Sequence, residues 1–296
     1  MRFKEIYIYG EVLFDCFENG EDKLGGAPFN VAWNLKGFGL NPKMITSIGE
    51  DDLGVKVLDY MKKWDMDTSF VNELDDKKTG SVTVKLDKKG VPTYSIEDDC
   101  AYDYINTPNN LEKDSIFYHG SLALRNSFNQ NVSNELKETT ISNIFVDVNL
   151  REPWWNEKIL KSTLKNTKWL KINDEELSDV CNIFSSKAKT EEEQLKFLFE
   201  KYNLELIVLT KGSQGALLID NNMETIELPI LKVQKLADTV GAGDAFASVV
   251  ILGIYKNWDK KLILQRAIEF ASNVCQLNGA ITDNKEFYTS FLNKWN

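Results

Sequence analysis

The segment 238–246 constrains the chain most strongly, because its glycine-rich turn leads directly into a long apolar run. It reads Asp-Thr-Val-Gly-Ala-Gly-Asp-Ala-Phe, and the apolar run continues to residue 255. The pattern predicts a buried helix whose unpaired N–H groups and positive dipole end face whatever lies in front of its first turn. Such a helix start suits an anion, above all phosphate.

Asp244 is the unusual member of this segment, because a carboxylate in an anion site repels the anion. Its presence makes sense if it has a chemical task, such as taking a proton from a hydroxyl group next to the phosphate. The alternative is an ordinary helix start with an aspartate in its first turn, a favourable position in any protein. The segment alone does not decide between these two interpretations.

The length and composition favour a single α/β domain. The 296 residues are enough for a large core, and the 17 glycines and 6 prolines form no linker rich in glycine, serine or proline. We therefore expect one domain over residues 1–296. The formal net charge of −10 disfavours nucleic acid and anionic membrane surfaces as partners.

Cysteine and histidine usage excludes several kinds of site and favours a cytoplasmic protein. The four cysteines are scattered without a CxxC pair, and His119 is the only histidine. A histidine-based zinc site or a Ser-His-Asp triad would depend on that one residue, and such thiols are typical of a reducing cytosol. Glu5 interrupts the first apolar stretch, so we expect no signal peptide. No apolar run approaches the roughly 18 residues of a membrane span.

Two features of the first hundred residues stand out against a regular αβ alternation. Residues 5–9 predict a first strand, and Asp15 follows its carboxyl end, where α/β folds place ligand groups. Residues 79–97 alternate apolar and polar side chains around a turn at 87–90, which predicts a β-hairpin. Such a hairpin can cover a site and exclude water, or it can be an ordinary edge of the sheet.

A second glycine-rich helix start is predicted at residues 25–32, Gly-Gly-Ala-Pro-Phe-Asn-Val-Ala. Gly25 and Gly26 permit a tight turn, and the proline suits the first turn of a helix. Asn30 then lies in that first turn, facing the loop. Its amide can both donate to and accept from hydroxyl groups, as a polyol ligand requires. An exposed asparagine at a helix start is the alternative.

Polar groups also follow two later strands. Asn149 and Arg151 come directly after the predicted strand 144–148, and the donors of Arg151 could hold an anionic or hydroxyl-rich group. Asn173 and Glu176 open a helix after the strand 168–172. Their oxygens suit a hydrated Mg²⁺ and equally suit plain helix capping.

Two further groups of polar or glycine positions lie nearer the carboxyl terminus. Thr210, Gly212 and Gly215 follow the strand 206–210 and could cradle phosphate or ribose, or form a hairpin turn. Asn273 lies among the apolar residues of a predicted helix over 262–277 and is a candidate for a buried polar contact. The chain has no P-loop pattern, no complete dinucleotide fingerprint and no Gly-x-Ser-x-Gly elbow.

These pieces, in this order, resemble the PfkB (ribokinase-like) family of ATP-dependent sugar kinases over essentially the whole chain. The resemblance rests on the two glycine-rich signatures, at 25–32 and 238–244, with the polar positions described above between them. The Gly-Gly-Ala-Pro form of the first signature and the Asp147-x-Asn-x-Arg151 cluster are similar to the fructokinase branch. The resemblance implies a three-layer α/β/α sandwich with a mostly parallel central sheet. It also implies a small β lid from residues near 11–24 and 79–104.

The resemblance also implies roles for the candidate residues. The sugar would contact Asp15, Gly25, Gly26, Asn30 and Arg151. The N–H groups of Gly241, Ala242 and Gly243 would hold the phosphoryl group in transfer, and Asp244 would take the proton from the attacking hydroxyl. ATP would lie along Thr210, Gly212 and Gly215 with Asn273 near the adenine, and Asn173 and Glu176 would position Mg²⁺ through water. In some family members the segment around the position of Asp238 also binds a monovalent cation, and lids often pair in a homodimer; both points stay open here.

The predicted activity is transfer of the γ-phosphoryl group of ATP to a sugar, with D-fructose as the leading acceptor. Other acceptors kept open are 2-keto-3-deoxygluconate, tagatose and a nucleoside, for which Phe29 or Tyr94 could supply an aromatic slot. A non-catalytic sugar-binding sensor is a different class, but a pure binder gains nothing from the carboxylate of Asp244 in an anion site. A nicotinamide-dependent oxidoreductase is disfavoured by the missing dinucleotide fingerprint.

Overall fold

The structure is a computed structural model that describes residues 3–18, 20–86, 92–107, 111–139, 141–231, 233 and 238–295. The strands in these ranges are β1 (Ile6–Tyr9), β2 (Leu13–Phe17), β3 (Asp22–Gly25), β4 (Lys43–Gly49), β5 (Val71–Leu74), β6 (Gly80–Leu86), β7 (Pro92–Ile96), β8 (Ile116–His119), β9 (Asn143–Asp147), β10 (Trp169–Asn173), β11 (Leu206–Thr210), β12 (Ala216–Asp220) and β13 (Thr225–Leu228). The α-helices are α1 (Ala27–Gly37), α2 (Asp52–Lys63), α3 (Ser127–Thr139), α4 (Glu157–Thr163), α5 (Asp174–Ile183), α6 (Glu191–Tyr202), α7 (Ala242–Lys256), α8 (Lys260–Val274) and α9 (Lys285–Trp295).

The main sheet is mostly parallel, as predicted. Within the described ranges it has nine strands in the order β13-β12-β11-β10-β9-β8-β1-β4-β5. All neighbours from β11 to β5 run parallel, and only β12 and β13 at one edge run antiparallel. Helices connect most of the parallel strands, so both faces of the sheet are covered and the strands read as apolar runs.

The two-residue period of the strands divides the apolar core into two layers. In β1, Ile6 and Ile8 pack under α1, α2, α7, α8 and α9. Tyr7 and Tyr9 point the opposite way and pack under α3, α4, α5 and α6. The predicted three-layer α/β/α sandwich is therefore confirmed. Within the described residues, no helix is both long and apolar enough to span a membrane.

A second, smaller sheet stands apart from the main one. In the described residues it has four strands in the order β3-β2-β6-β7. The predicted hairpin is confirmed as the antiparallel pair β6 and β7, while its turn at 87–90 lies outside the described residues. The strands β2 and β6 pair in parallel, so two segments distant in the chain build this sheet. Both segments lie in the ranges expected for the lid, and its action as a lid stays a prediction.

The start of α7 has the backbone geometry that the glycine-rich motif predicts. Gly241 precedes the helix with a φ of 77°, in the left-handed region. A Cβ atom at this position would lie 2.3 Å from the Cβ of Ala280, so a side chain has no room. Asp244 is the third residue of the helix, and the residues after it are buried from Ala245 to Gly253. The predicted buried helix is therefore confirmed.

We predict opposite tolerance for two glycines of this turn. Gly241→Ala should lower the free energy of unfolding by at least about 1–2 kcal/mol, because it strains the left-handed backbone and meets Ala280. Gly243→Ala is the matched control, since its Cβ would be 3.4 Å from the nearest atom and alanine favours the helix by up to about 1 kcal/mol. Urea unfolding of both variants measures the difference. Equal destabilisation would contradict this account of Gly241.

Candidate active site

A cavity of about 1010 Å³ lies between the second sheet and the starts of α1 and α7. The second sheet forms one wall, through residues of β2, β3, β6 and β7. The opposite wall comes from the first turns of α1 and α7, the loop after β9, and the segment 278–283 before α9. The cavity therefore lies at the carboxyl ends of the central strands, where open α/β sheets bind ligands.

Most of the predicted sugar and catalytic residues meet in this cavity. Its walls include Asp15, Gly25, Gly26, Asn30, Arg151, Gly241, Gly243 and Asp244. Ala242, the first residue of α7, lies between the two lining glycines. These residues come from four separate segments of the chain. The structure thus brings these predicted residues together in one cavity, and their roles in binding and catalysis stay predictions.

Asp244 is held by a hydrogen bond from the other glycine-rich helix start. The Nδ2 atom of Asn30 donates to Oδ2 of Asp244 at 2.8 Å. Burial raises the pKa of Asp244 to about 6, and the nearby carboxylate of Asp147 adds to the rise. The bond from Asn30 and the positive charges of Lys171 and Arg151 oppose it. A carboxylate with this pKa is a better proton acceptor than an ordinary aspartate near neutral pH.

The end of the cavity beside β2 and β3 carries a further polar group and a close backbone approach. Asp15 lies on β2, where burial raises the pKa of its carboxyl while Arg151 and Lys23 oppose the rise. Gly26 has a φ of 104°, and a Cβ atom there would lie 2.7 Å from the carbonyl oxygen of Glu11. This close approach explains why glycine occupies the position before α1.

Glu11 is a cavity residue to which the sequence analysis gave no role. It is 2% exposed, and its Oε2 atom has no hydrogen-bond partner among the described residues. Burial raises the pKa of its carboxyl to about 7. In the sequence, only its position just past the end of β1 pointed to a role in the site. Any polar loop residue after a strand would give the same indication.

Lys171 is the second cavity residue that sequence reasoning missed. Its Nζ atom donates to Oδ1 and Oδ2 of Asp147 at 2.9 and 2.8 Å, and both residues are buried. Burial alone would lower the pKa of Lys171, but the carboxylates of Asp147 and Glu176 outweigh it and the net shift is upward. A lysine inside the apolar run of a central strand was a usable signal, because buried lysines are almost always paired.

The segment 278–283 completes the cavity wall, although no motif pointed to it. The Nε1 atom of Trp33 donates to the carbonyl oxygen of Thr282 at 2.9 Å and ties the segment to α1. Trp33 stacks in turn on Trp64, with ring centroids 4.9 Å apart. The segment is recognisable only once the helices that it touches are in place.

The two predicted magnesium residues form a reciprocal helix cap. Oδ1 of Asn173 accepts from the N–H of Glu176 at 2.8 Å, and Oε2 of Glu176 accepts from the N–H of Asn173 at 3.0 Å. The other carboxylate oxygen, Oε1, accepts from the N–H of Leu150 at 2.9 Å. The described residues contain no group of three or more acidic, histidine or cysteine side chains that could hold a metal. A contact of Asn173 and Glu176 with Mg²⁺ through water stays a prediction.

The four predicted ATP residues do not line the cavity. Thr210 pairs with Asn173 on the neighbouring strand β10, so it lies at the same edge of the sheet. Gly212 and Gly215 flank a short turn, and a Cβ atom on Gly215 would lie 2.2 Å from the carbonyl oxygen of Leu228. The amide of Asn273 is engaged within and just beyond α8, with the carbonyl of Glu269 and with Gln276. Their role in binding ATP stays a prediction.

Comparison with known proteins agrees with this geometry. Residues 8–286 match the profile of the pfkB family carbohydrate kinases. The chain is 31% identical to the sugar kinase PH1459 of Pyrococcus horikoshii, over 93% of this chain and 90% of that protein. The structure of that uncharacterized kinase in complex with ATP has a TM-score of 0.74 at 27% identity, with 93% of each chain covered.

Two further relatives carry more specific names. The chain is 26% identical to an ATP-dependent 6-phosphofructokinase of Thermoanaerobacterium thermosaccharolyticum, over 94% of this chain and 90% of that enzyme. A fructokinase of Vibrio cholerae O395, solved with fructose, ADP and calcium, shares the fold, with a TM-score of 0.78 at 21% identity and 97% and 98% of the two chains covered. The match over most of its length shows that this chain belongs to the pfkB family of carbohydrate kinases, ATP-binding sugar phosphotransferases with a ribokinase-like fold.

Proposed function

We propose that this sugar kinase uses D-fructose as its acceptor and Asp244 as its general base. The observation that carries the proposal is the bond between Asn30 and Asp244, which holds a carboxylate of raised pKa at the start of α7, inside the cavity. The fructokinase-like sequence motifs at 25–28 and 147–151 support fructose, as does the fold shared with a fructokinase.

Phosphoryl transfer requires mainly that the protein align the two substrates and stabilise the charge on the phosphoryl oxygens. The N–H groups of Gly241, Ala242 and Gly243 lie at the positive end of α7 and hold the equatorial oxygens of the γ-phosphoryl group. In this structure the N–H of Ala242 donates to the carbonyl oxygen of Thr239 at 3.3 Å, a long bond that it would exchange for the phosphoryl oxygen. Asp244 takes the proton of the attacking hydroxyl. Thr210, Gly212, Gly215 and Asn273 hold the nucleotide. Mg²⁺ bound to the ATP phosphates would neutralise charge there, and Asn173 and Glu176 would hold it through water.

The sugar occupies the end of the cavity under the second sheet. Asp15 and Asn30 bond to its hydroxyl groups, Gly25 and Gly26 allow its close approach to the backbone, and Arg151 closes the opposite side. The second sheet acts as a lid that excludes water, which would otherwise compete as the phosphoryl acceptor. Pairing of two lids in a homodimer is part of the same proposal.

A nucleoside is the second candidate acceptor, and one observation favours it. Tyr94 on β7 lines the cavity and is 55% exposed, so its ring is available to stack on a base. Phe29, the other aromatic residue considered for this slot, is fully buried in the core and is not available. Acceptors with a carboxylate, such as 2-keto-3-deoxygluconate, would depend on Arg151 in the same cavity.

An ADP-release assay over a panel of acceptors tests the proposal. The panel contains fructose, tagatose, 2-keto-3-deoxygluconate, fructose 6-phosphate, ribose and adenosine, with water alone as the background. Fructose should give the highest kcat/KM. A higher value for another acceptor reassigns the substrate, and no stimulation by any acceptor contradicts the proposed reaction.

Asp244→Asn should lower kcat by at least about 10²-fold while ATP still binds, because the base is lost and the shape is kept. In the wild type, kcat should fall as the pH drops below about 6, since Asp244 must be ionised to accept a proton. At pH 5 only about a tenth of the enzyme would have an ionised base. Steady-state rates between pH 5 and 8 and ATP binding by calorimetry check both points. A near-normal kcat in the variant removes Asp244 from the base role.

Asp15→Ala should raise the KM for the sugar far more than the KM for ATP, because Asp15 lies at the sugar end of the cavity. Loss of a charged hydrogen-bond partner is worth about 1.5–3 kcal/mol, so a change in sugar KM of roughly ten- to a hundredfold is expected. Asp22→Ala is the control, since Asp22 also lies in the cavity wall but pairs with Lys56. Equal changes in both KM values would mean that Asp15 is structural.

A further inference from the structure

We propose that Lys171 is a further catalytic residue, whose ammonium group contacts the phosphoryl group in transfer and is held in place by Asp147. The inference rests on the proposed function, because it requires a phosphoryl group at the start of α7. It adds a fixed positive charge to the backbone N–H groups already placed there.

Strand register places this pair under α7. Lys171 on β10 and Asp147 on β9 are direct neighbours in the parallel ladder. Trp169 and Phe145, two residues earlier on each strand, pack in the core layer under α1 and α7. Because side chains alternate along a strand, Asp147 and Lys171 point to that same side. Both come near the carboxyl ends of their strands, next to the cavity.

A gap in the wall connects Lys171 to the cavity. Gly243 is the second residue of α7, and a Cβ atom on it would lie 3.4 Å from Nζ of Lys171. Since glycine has no side chain, the ammonium forms part of the cavity wall although the residue is only 6% exposed. The ammonium therefore adjoins the helix start at which the phosphoryl group is proposed to bind.

The bonding of the ammonium leaves room for a ligand. Two of its hydrogen bonds go to the two oxygens of Asp147. An ammonium has three donors, and the third has no protein acceptor in the described part of the chain. The bidentate contact with Asp147 fixes the direction of this remaining donor. A lone buried ion pair gains little over apolar residues of the same size, so stability alone is a weak reason for its presence.

Lys171 also offsets the negative charge of the carboxylates around it. The carboxylates of Asp147, Glu176 and Asp244 all act electrostatically on Lys171. Without the ammonium, a phosphoryl group at this helix start would approach three buried or half-buried acidic groups. The other cations in the described cavity wall, Lys23 and Arg151, are exposed. Lys171 is thus the buried positive charge that offsets the carboxylates beside α7.

The chemical step itself is the one already proposed. The oxygen of the acceptor hydroxyl forms a bond to the γ-phosphorus, and the bond from that phosphorus to the β–γ bridging oxygen breaks. The hydroxyl proton goes to Asp244, and the bond electrons leave with ADP. Lys171 keeps its proton throughout, in line with the upward shift of its pKa.

Four variants test the inference in the full-length protein. Lys171→Met should lower kcat by roughly 10²–10³-fold with little change in the sugar KM, the loss typical for one transition-state donor. The double variant Lys171→Met with Asp147→Asn restores the balance of buried charge and should remain as slow. Lys171→Arg should recover part of the rate. Lys168→Met is the control at the other end of β10, where the lysine pairs with Glu205, and should leave kcat unchanged.

The double variant separates catalysis from structure. If Lys171 only neutralises Asp147, removing both charges should return kcat to within about threefold of the wild type, and that result would overturn the proposal. A double variant that unfolds at the wild-type melting temperature yet stays slow supports it. An acid limb of the kcat profile that moves to higher pH in Lys171→Met adds support. Only Lys171 changes in that variant among the groups that bond to Asp244 or interact with its charge. These groups are Asn30, Asp147, Lys171, Arg151, Glu11 and Tyr118.

A binding measurement keeps this inference distinct from the proposed function. Absence of acceptor-stimulated ADP release by the wild type contradicts the proposed function, whatever Lys171 does. The contact is then judged from melting temperatures with ADP, Mg²⁺ and aluminium fluoride, a mimic of the phosphoryl group in transfer. A rise in melting temperature that the ligands cause in the wild type but not in the double variant supports the contact. No rise in the wild type, or an equal rise in the double variant, contradicts it.

Discussion

The hydrogen bond between Asn30 and Asp244 joins two helix starts that lie 214 residues apart in the chain. It forms only because α1 and α7 pack against each other on the same face of the main sheet. Each helix begins with glycines that permit an approach closed to other residues, at Gly26 against Glu11 and at Gly241 against Ala280. Side-by-side packing of these two helices is therefore the constraint on which the cavity depends.

The electrostatics of the cavity follow from that packing. Asp244 loses water because it lies between two helix starts and the carboxyl ends of β9 and β10, and this raises its pKa to about 6. A higher pKa would leave it protonated at neutral pH, and a lower one would make it a weaker base. The bond from Asn30 and the charges of Lys171 and Arg151 hold the shift in this range. Under the proposed mechanism, the same side chains would serve both proton transfer and phosphate binding.

Local sequence patterns predicted the elements and one set of site residues. The strands near 5–9, 144–148, 168–172 and 206–210, the hairpin and the two glycine-rich helix starts follow from periodicity and turn chemistry, which act over a few residues. The grouping of Asp15, Asn30, Arg151 and Asp244 came from the resemblance to the pfkB family, because their positions at strand ends and helix starts alone left each role open. The segment 278–283 could not be found in this way, because its place in the cavity wall depends on neighbours distant in the chain. Lys171 was detectable as a charged residue inside an apolar strand, but its partner was not. Asp147 was noticed as part of a motif, but its bond to Lys171 is visible only in the sheet register.

Glu176 makes two structural contacts, so its substitution would have more than one effect on the site. One carboxylate oxygen caps the start of α5, and the other accepts from the N–H of Leu150, directly before Arg151. The residue therefore holds the loop that carries Arg151, in addition to its proposed contact with hydrated Mg²⁺. Loss of activity on substitution of Glu176 alone would not identify a metal role, because displacement of Arg151 would also reduce activity. A metal role requires a change in the dependence on Mg²⁺ concentration while the sugar KM stays constant, since displacement of Arg151 would raise that KM.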